Sequence, residues 1–216
     1  MQITIREPGN ALTHFIAMML AVFASMPLLL KAGLTSGTRN MAAMTVFMIS
    51  MILLYSASTM YHSVNLTGSK LKFFKKLDHM MIFVLIAGTY TPVCLIILGG
   101  RTGYSLLALV WTIAAVGILI KACWVTCPKW FSSLIYIAMG WVCIPVFVPL
   151  WNALPKAAFL WLLVGGIIYT IGGVIYALKL PFFNERHKYF GSHEIFHLFV
   201  IGGSVCHFIF MYLYVA

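Results

Sequence analysis

Charge is what this chain lacks. Of 216 residues, 14 are Lys or Arg and only 4 are Asp or Glu, so 8% are charged, where a soluble domain runs to about 25%. With 62% apolar residues and a mean hydropathy of +1.01, the chain holds more apolar surface than one small core can hide, and lipid must be part of its solvent. Long polar segments are also missing, which leaves no stretch large enough for a separate soluble domain. The alternation of apolar and polar residues that a membrane β-barrel needs is absent as well. The five cysteines are odd in number and dispersed, so they form no disulfide framework. Cys123 and Cys127 have i,i+4 spacing that could suit a metal, although small thiols in membrane helices ordinarily pack. No fixed-period repeat and no transporter-like inverted repeat is visible.

What is present is a series of continuous apolar runs free of Asp, Glu, Lys and Arg, at about 11–30, 41–61, 80–98, 104–120, 130–150, 157–178 and 195–215. The first is too long for a signal peptide and reads as the first helix. The expected fold is an all-α membrane protein, one domain of seven transmembrane helices over residues 1–216.

The placement of cations predicts orientation. Arg6, Lys70, Lys72, Lys75, Lys76, Lys121, Lys129, Lys179, Arg186 and Lys188 fall on one side, and Lys31, Arg39, Arg101 and Lys156 on the other. The first side is then cytoplasmic, with the N-terminus inside, the C-terminus outside and the plasma (inner) membrane as location. Net charge +10 therefore reports topology, not nucleic acid, and the Lys70–Lys76 cluster suits anionic headgroups. Gly165, Gly166, Gly172 and Gly173 form two pairs seven apart, a stripe that lets a neighbouring helix come close. Pro27, Pro92, Pro145 and Pro149 lie inside spans and should bend them.

Ionisable residues in a span are costly and need a reason. His62 ends the second span with Ser58 one turn before it, on the same face. Asp78 opens the third span, and His193 and His197 open the seventh, four residues and about 6 Å apart in height. All of these belong to the cytoplasmic layer. Three neutral imidazoles with an open position are the ligand set of a catalytic zinc, which lowers the pKa of a bound water to about 7. Asp78 would serve as general base or support, and Ser58 as a hydrogen-bonding partner. Interfacial histidines can equally meet water and headgroups, and Asp78 can simply complement a helix N-terminus beside Lys75 and Lys76; spacing alone does not choose. His14 and His187 read as interfacial or loop residues, His79 as flanking the site, and His207 as a buried hydrogen-bonding residue about 15 Å deeper. His193-Glu194-Ile195-Phe196-His197 also matches the zinc-protease pattern, but it opens a span and other ligand and base positions exist.

Several motifs carry a family resemblance: Ser58-x-x-x-His62, Leu77-Asp78-His79, Leu85-Ile86-Ala87-Gly88-Thr89-Tyr90-Thr91-Pro92, Ala138-Met139-Gly140-Trp141, His193-x-x-x-His197 and Gly202-Gly203-Ser204-Val205-Cys206-His207-Phe208. Together they cover most of the chain, which resembles the bacterial hemolysin III proteins and, with them, the progestin and adipoQ receptors that include the adiponectin receptors. The resemblance implies seven helices with a cytoplasmic N-terminus, Zn2+ held by His62, His193 and His197, and Asp78 and Ser58 beside the metal's water. It further implies hydrolysis of lipid amides, ceramide being the substrate class of the receptor branch, and a part in membrane-lipid homeostasis. The long N-terminal domain of the receptors has no counterpart here, so hormone recognition is not implied. The leading functional expectation is an intramembrane zinc hydrolase with a membrane lipid as substrate or ligand. The alternatives are a sensor or regulator with structural zinc, and a membrane-lytic, pore-forming protein. A transporter fits less well, because polar residues gather at one face instead of the midplane.

Overall fold

In hydrocarbon a backbone N–H or C=O has no water to bond, so each apolar run closes its hydrogen bonds on itself as a helix. A computed structural model describes residues 5–178 and 191–216. Lys179, Arg186, His187 and Lys188, counted above among the loop residues, lie outside the described residues. Among the described residues, seven helices are long and apolar enough to cross a membrane: α1 (Pro8–Thr35), α2 (Gly37–Ser63), α3 (Gly68–Leu98), α4 (Gly100–Cys123), α5 (Lys129–Ala153), α6 (Lys156–Leu178) and α7 (Ser192–Val215). No strand occurs among the described residues. Large apolar side chains such as Phe23, Met26, Leu119 and Val148 stay exposed on the flanks, as lipid-facing positions should.

The helices are longer than the apolar runs, because polar and charged residues continue the backbone pattern at their ends. The difference is greatest between the first two spans, where the expected loop of about ten residues is absent. The helices instead continue to either side of Gly37, the one residue there with non-helical torsions, at φ +79°. Such a conformation costs a side-chain-bearing residue and is available to glycine. A second tight connection is made by Gly99 and Gly100, both at positive φ, between α3 and α4.

The prolines have unequal effects. Pro27 leaves α1 helical. After Pro92, α3 widens into a π-helical turn over Val93–Leu98, and Arg39 donates a 2.8 Å hydrogen bond to the carbonyl of Leu95 there. α5 is interrupted between Gly140 and Ile144, with Pro145 in the short 3₁₀ turn that follows. Tyr90 serves that break from the side, its hydroxyl donating to the Gly140 carbonyl at 2.6 Å and accepting the Cys143 N–H at 3.1 Å.

The glycine stripe of α6 divides its work. A Cβ on Gly165 would lie 2.5 Å from the His207 ring and one on Gly172 2.7 Å from Phe199, so these two let α7 close in. Gly173 faces Ile137 of α5, and Gly166 meets nothing within 4 Å. Gly88 of α3 and Ser50 of α2 make a similar close approach, the added Cβ falling 2.1 Å from Ser50 Oγ. Deeper in the bundle, Ser204 of α7 takes a 2.7 Å hydrogen bond from Tyr55 of α2 and lies 2.8 Å from the hydroxyl of Tyr169 on α6. One small hydroxyl thus ties three helices at the level of the core.

These contacts predict opposite outcomes for two glycine substitutions. Gly88→Leu should lower stability by about 1–3 kcal/mol through overpacking, whereas Gly166→Ala should be neutral or gain up to about 1 kcal/mol of helix propensity. Thermal unfolding in detergent checks both, and equal behaviour of the two variants would contradict the packing described.

Candidate metal centre

α2 ends, α3 begins and α7 begins at one end of the bundle, and that topology brings the five expected site residues near one another. His62 and His197 are buried and His193 nearly so, and one ring nitrogen from each lies within 4.8 Å of the others. His62 Nε2 and His193 Nε2 are 3.3 Å apart. Tetrahedral zinc with Zn–N bonds of 2.0–2.1 Å sets two of its nitrogen ligands about 3.3–3.4 Å apart, so this pair already has the separation a metal needs. The donor set therefore fits a divalent ion of the zinc type, with three imidazoles and room for one further ligand.

The second ring nitrogens of His62 and His197 are held by other side chains, as is usual for ligating histidines. His62 Nδ1 meets Glu7 Oε2 in a short contact, and the Glu7 N–H donates to the His62 carbonyl at 3.0 Å. Burial raises the Glu7 pKa, but the hydrogen bond and charge of His62, with Arg6 adjacent, outweigh it and hold the carboxyl at about 2. His197 Nδ1 lies 3.3 Å from Thr13 Oγ1. With these nitrogens engaged, the Nε2 atoms of His62 and His197 are the ones left for a metal.

Asp78 and Ser58 are buried and line the same cavity as His193 and His197. Ser58 Oγ has no hydrogen-bond partner, an orphaned polar atom beside an apolar space. Asp78 Oδ2 lies 3.3 Å from His79 Nδ1, which is also 2.9 Å from the Lys75 carbonyl. His79 thus does more than flank the site, since it is the hydrogen-bonding neighbour of the acid. His207 donates to or accepts from no residue of the centre; its Nε2 meets the Leu162 carbonyl at 3.2 Å, at the deeper level expected.

Two of the sequence readings, those of His14 and Lys121, are corrected here, and the protease pattern set aside above finds a structural role. His14 is not interfacial: it is buried, its ring stacks on His197 at 3.6 Å, and neither ring nitrogen has a partner. Lys121 is not a loop cation but a fully buried one in the last turn of α4. Glu194, the general base of the protease pattern, accepts the Gly191 N–H at 2.8 Å and so caps the start of α7.

The residues that sequence reasoning missed all come from the start of α1. Glu7, Asn10, Thr13 and His14 follow one another at helical spacing at the head of an otherwise apolar run, and that pattern of polar residues on one face was the available signal.

The cavity extends from this polar end into the bundle with a volume of about 180 Å³. Its wall passes Leu85, Thr89 and Val93 along α3 and Leu106, Leu150 and Phe159 from the other helices. From Asp78 to Val93 the rise along the helix is about 22 Å. The lining is mostly apolar, with Thr89, Tyr90 and Thr170 among the polar groups beyond the histidines.

Comparison with known proteins agrees with the motifs. A sequence model of the family described as "Haemolysin-III related" matches residues 2–208. Hemolysin-3 of Bacillus cereus is 41% identical over 210 residues, which cover 97% of this chain and 91% of that protein. The Hemolysin-3 homolog of Bacillus subtilis (strain 168) is 39% identical over 208 residues, covering 95% and 92%. More distantly, the adiponectin receptor protein of Drosophila melanogaster is 23% identical over 228 positions, covering 94% of this chain and 49% of the receptor. Matched from near its first residue to beyond the last histidine, the chain belongs to the haemolysin-III family of membrane proteins, within the progestin and adipoQ receptor superfamily.

Proposed function

We propose that the chain is a zinc-dependent intramembrane hydrolase that cleaves a lipid amide or ester, of the ceramide type, taken from the bilayer. The observation that carries this reading is the meeting of three imidazoles, a buried carboxylate and an orphaned hydroxyl at the head of one apolar slot. His62, His193 and His197 would hold the metal, which when bound supplies Lewis acidity toward a carbonyl and makes water a better nucleophile near pH 7. Glu7 orients His62 and Thr13 orients His197 from behind. The apolar wall receives the acyl chain and keeps bulk water away from the head of the slot. Asp78 accepts the proton released as water adds to the acyl carbon and returns it to the departing amine or alcohol. Its neighbour His79 fixes the carboxylate for that exchange. Ser58 donates a hydrogen bond to the head group it faces. The products are a fatty acid and the amine or alcohol that carried it.

By the cation count, the centre faces the cytoplasmic side of the plasma membrane, with the N-terminus inside. A second reading has some support: the three ligands come from only two helices, α2 and α7, so a metal there could act as a staple of a sensor or regulator. The relatives' name, hemolysin, speaks for lysis, but a bundle with so few charged residues offers little to line an aqueous pore.

Three measurements separate these readings. Elemental mass spectrometry of detergent-purified protein should give one zinc for each chain, lost in His62→Ala and in His193→Ala; metal-free native protein from chelator-free preparations would end both zinc readings. Asp78→Asn should keep its zinc while turnover of a lipid amide falls by about 10²–10⁴. Unchanged turnover, or none in zinc-replete native protein against a panel of lipid amides and esters, would leave only the staple. Glu7→Gln should weaken zinc retention in a chelator titration by about 10–100-fold, and unchanged retention would remove Glu7 from the support of His62.

A further inference from the structure

A second cluster of reactive side chains lies at the same end of the bundle, apart from the histidines. Lys121, in the last turn of α4, is fully buried, which is rare for a lysine. A buried ammonium requires an anion or dense hydrogen bonding. No carboxylate forms an ion pair with it among the described residues. Its Nζ donates instead to Cys127 Sγ at 3.0 Å and to Ser132 Oγ at 2.5 Å. The ring of Tyr136 stands 5.7 Å from it.

Cys127 is the acid in this group. It lies in the turn between α4 and α5, outside the spans, and is itself buried. Ser132 Oγ, 3.3 Å from the sulfur, can donate a second hydrogen bond to it. Burial pushes the thiol pKa up, but the hydrogen bonds from Lys121 and Ser132 and the lysine charge prevail and bring it below the usual thiol range. The arrangement sets a lysine Nζ at hydrogen-bond distance from a thiol, the environment that favours the nucleophilic thiolate. Cys123, one turn earlier and exposed, has no such partner given by the geometry and serves as an internal comparison.

We propose that Cys127 and Lys121 form a peroxide-sensitive site in which oxidation converts their hydrogen-bonded contact into a covalent sulfur–nitrogen bond. The Cys127 thiolate attacks one oxygen of hydrogen peroxide; the O–O bond breaks, an S–O bond forms, and the departing hydroxide takes a proton from the Lys121 ammonium to leave as water. The free amine then attacks the sulfenic sulfur, the S–N bond forms, the S–O bond breaks, and the hydroxyl leaves as a second water with a proton from nitrogen. Sulfur loses two electrons and peroxide gains them. Contact of Nζ with Sγ before the reaction is what directs the sulfenic acid to nitrogen instead of to a second peroxide. The product is a tether between the last turn of α4 and the turn leading to α5. Tyr136 packs against this tether while its hydroxyl donates to the His79 carbonyl at 3.0 Å, next to Asp78, so the site is placed to signal oxidation to the candidate metal centre.

The test is brief treatment of the full chain in detergent with hydrogen peroxide, followed by peptide mapping by mass spectrometry. The expected result is a linked Lys121–Cys127 peptide, lighter by two hydrogens and released by dithiothreitol. In pulses trapped with dimedone, Cys127 should be oxidised on the order of tenfold faster than Cys123, since a larger thiolate fraction carries over into rate. Cys127→Ser should abolish the link, and Lys121→Met should stop at the dimedone-reactive sulfenic acid. The proposal is overturned if Cys123 reacts as fast as Cys127, or if oxidised Cys127 appears only as sulfinic acid or a disulfide. The comparison of the two thiols within the native chain stands whether or not the Lys121 variant folds.

Discussion

Hydrocarbon has no hydrogen-bond partner to offer, and that single deficiency organises this molecule. It forces every span into a helix, and it makes each helix interruption a local problem that some nearby group must solve. Tyr90 solves it at the break in α5, and Arg39 reaches the Leu95 carbonyl where α3 widens. The same rule governs side chains. Ser204 collects the hydroxyls of Tyr55 and Tyr169, and Lys121 finds a thiol and a hydroxyl in place of a carboxylate.

Against this background the groups left without protein partners are the informative ones. Ser58 Oγ and both nitrogens of His14 are buried and unsatisfied, and both residues border the three-histidine group. Asn10 Oδ1, Ser133 Oγ and His207 Nδ1 are likewise buried without a partner among the described residues. The mostly apolar cavity runs into the bundle from His193 and His197.

The centre also depends on close helix packing elsewhere. α7 carries two of the three histidines, and its position is set by Gly165 and Gly172 of α6, which let it approach to where a Cβ would collide with His207 or Phe199. α2 carries the third, seated against α3 at Gly88 and Ser50. Small residues far from the histidines therefore fix the distance between His62 and His193.

Much of this was legible in the chain itself. Apolar runs and scarce charge determined seven membrane helices, because in lipid only helices and closed barrels satisfy the backbone and the runs lack a barrel's alternation. The i,i+4 pair His193 and His197, with His62 and Asp78 at helix ends of the same layer, determined which residues could meet. What only the tertiary structure decided was which partners they have. Glu7 and His14 precede or open an apolar helix and look peripheral until α1 packs against α2 and α7, where they become neighbours of His62 and His197. Lys121 looks like one more loop cation until Cys127 of the turn after α4 and Ser132 of α5 close over it. Glu194 resembles a protease base by spacing and is instead drawn to the free N–H groups at the start of its own helix. Helical periodicity is a local property and can be read along the chain, whereas burial and partnership belong to helix pairs distant in sequence, and they exist only once the bundle closes.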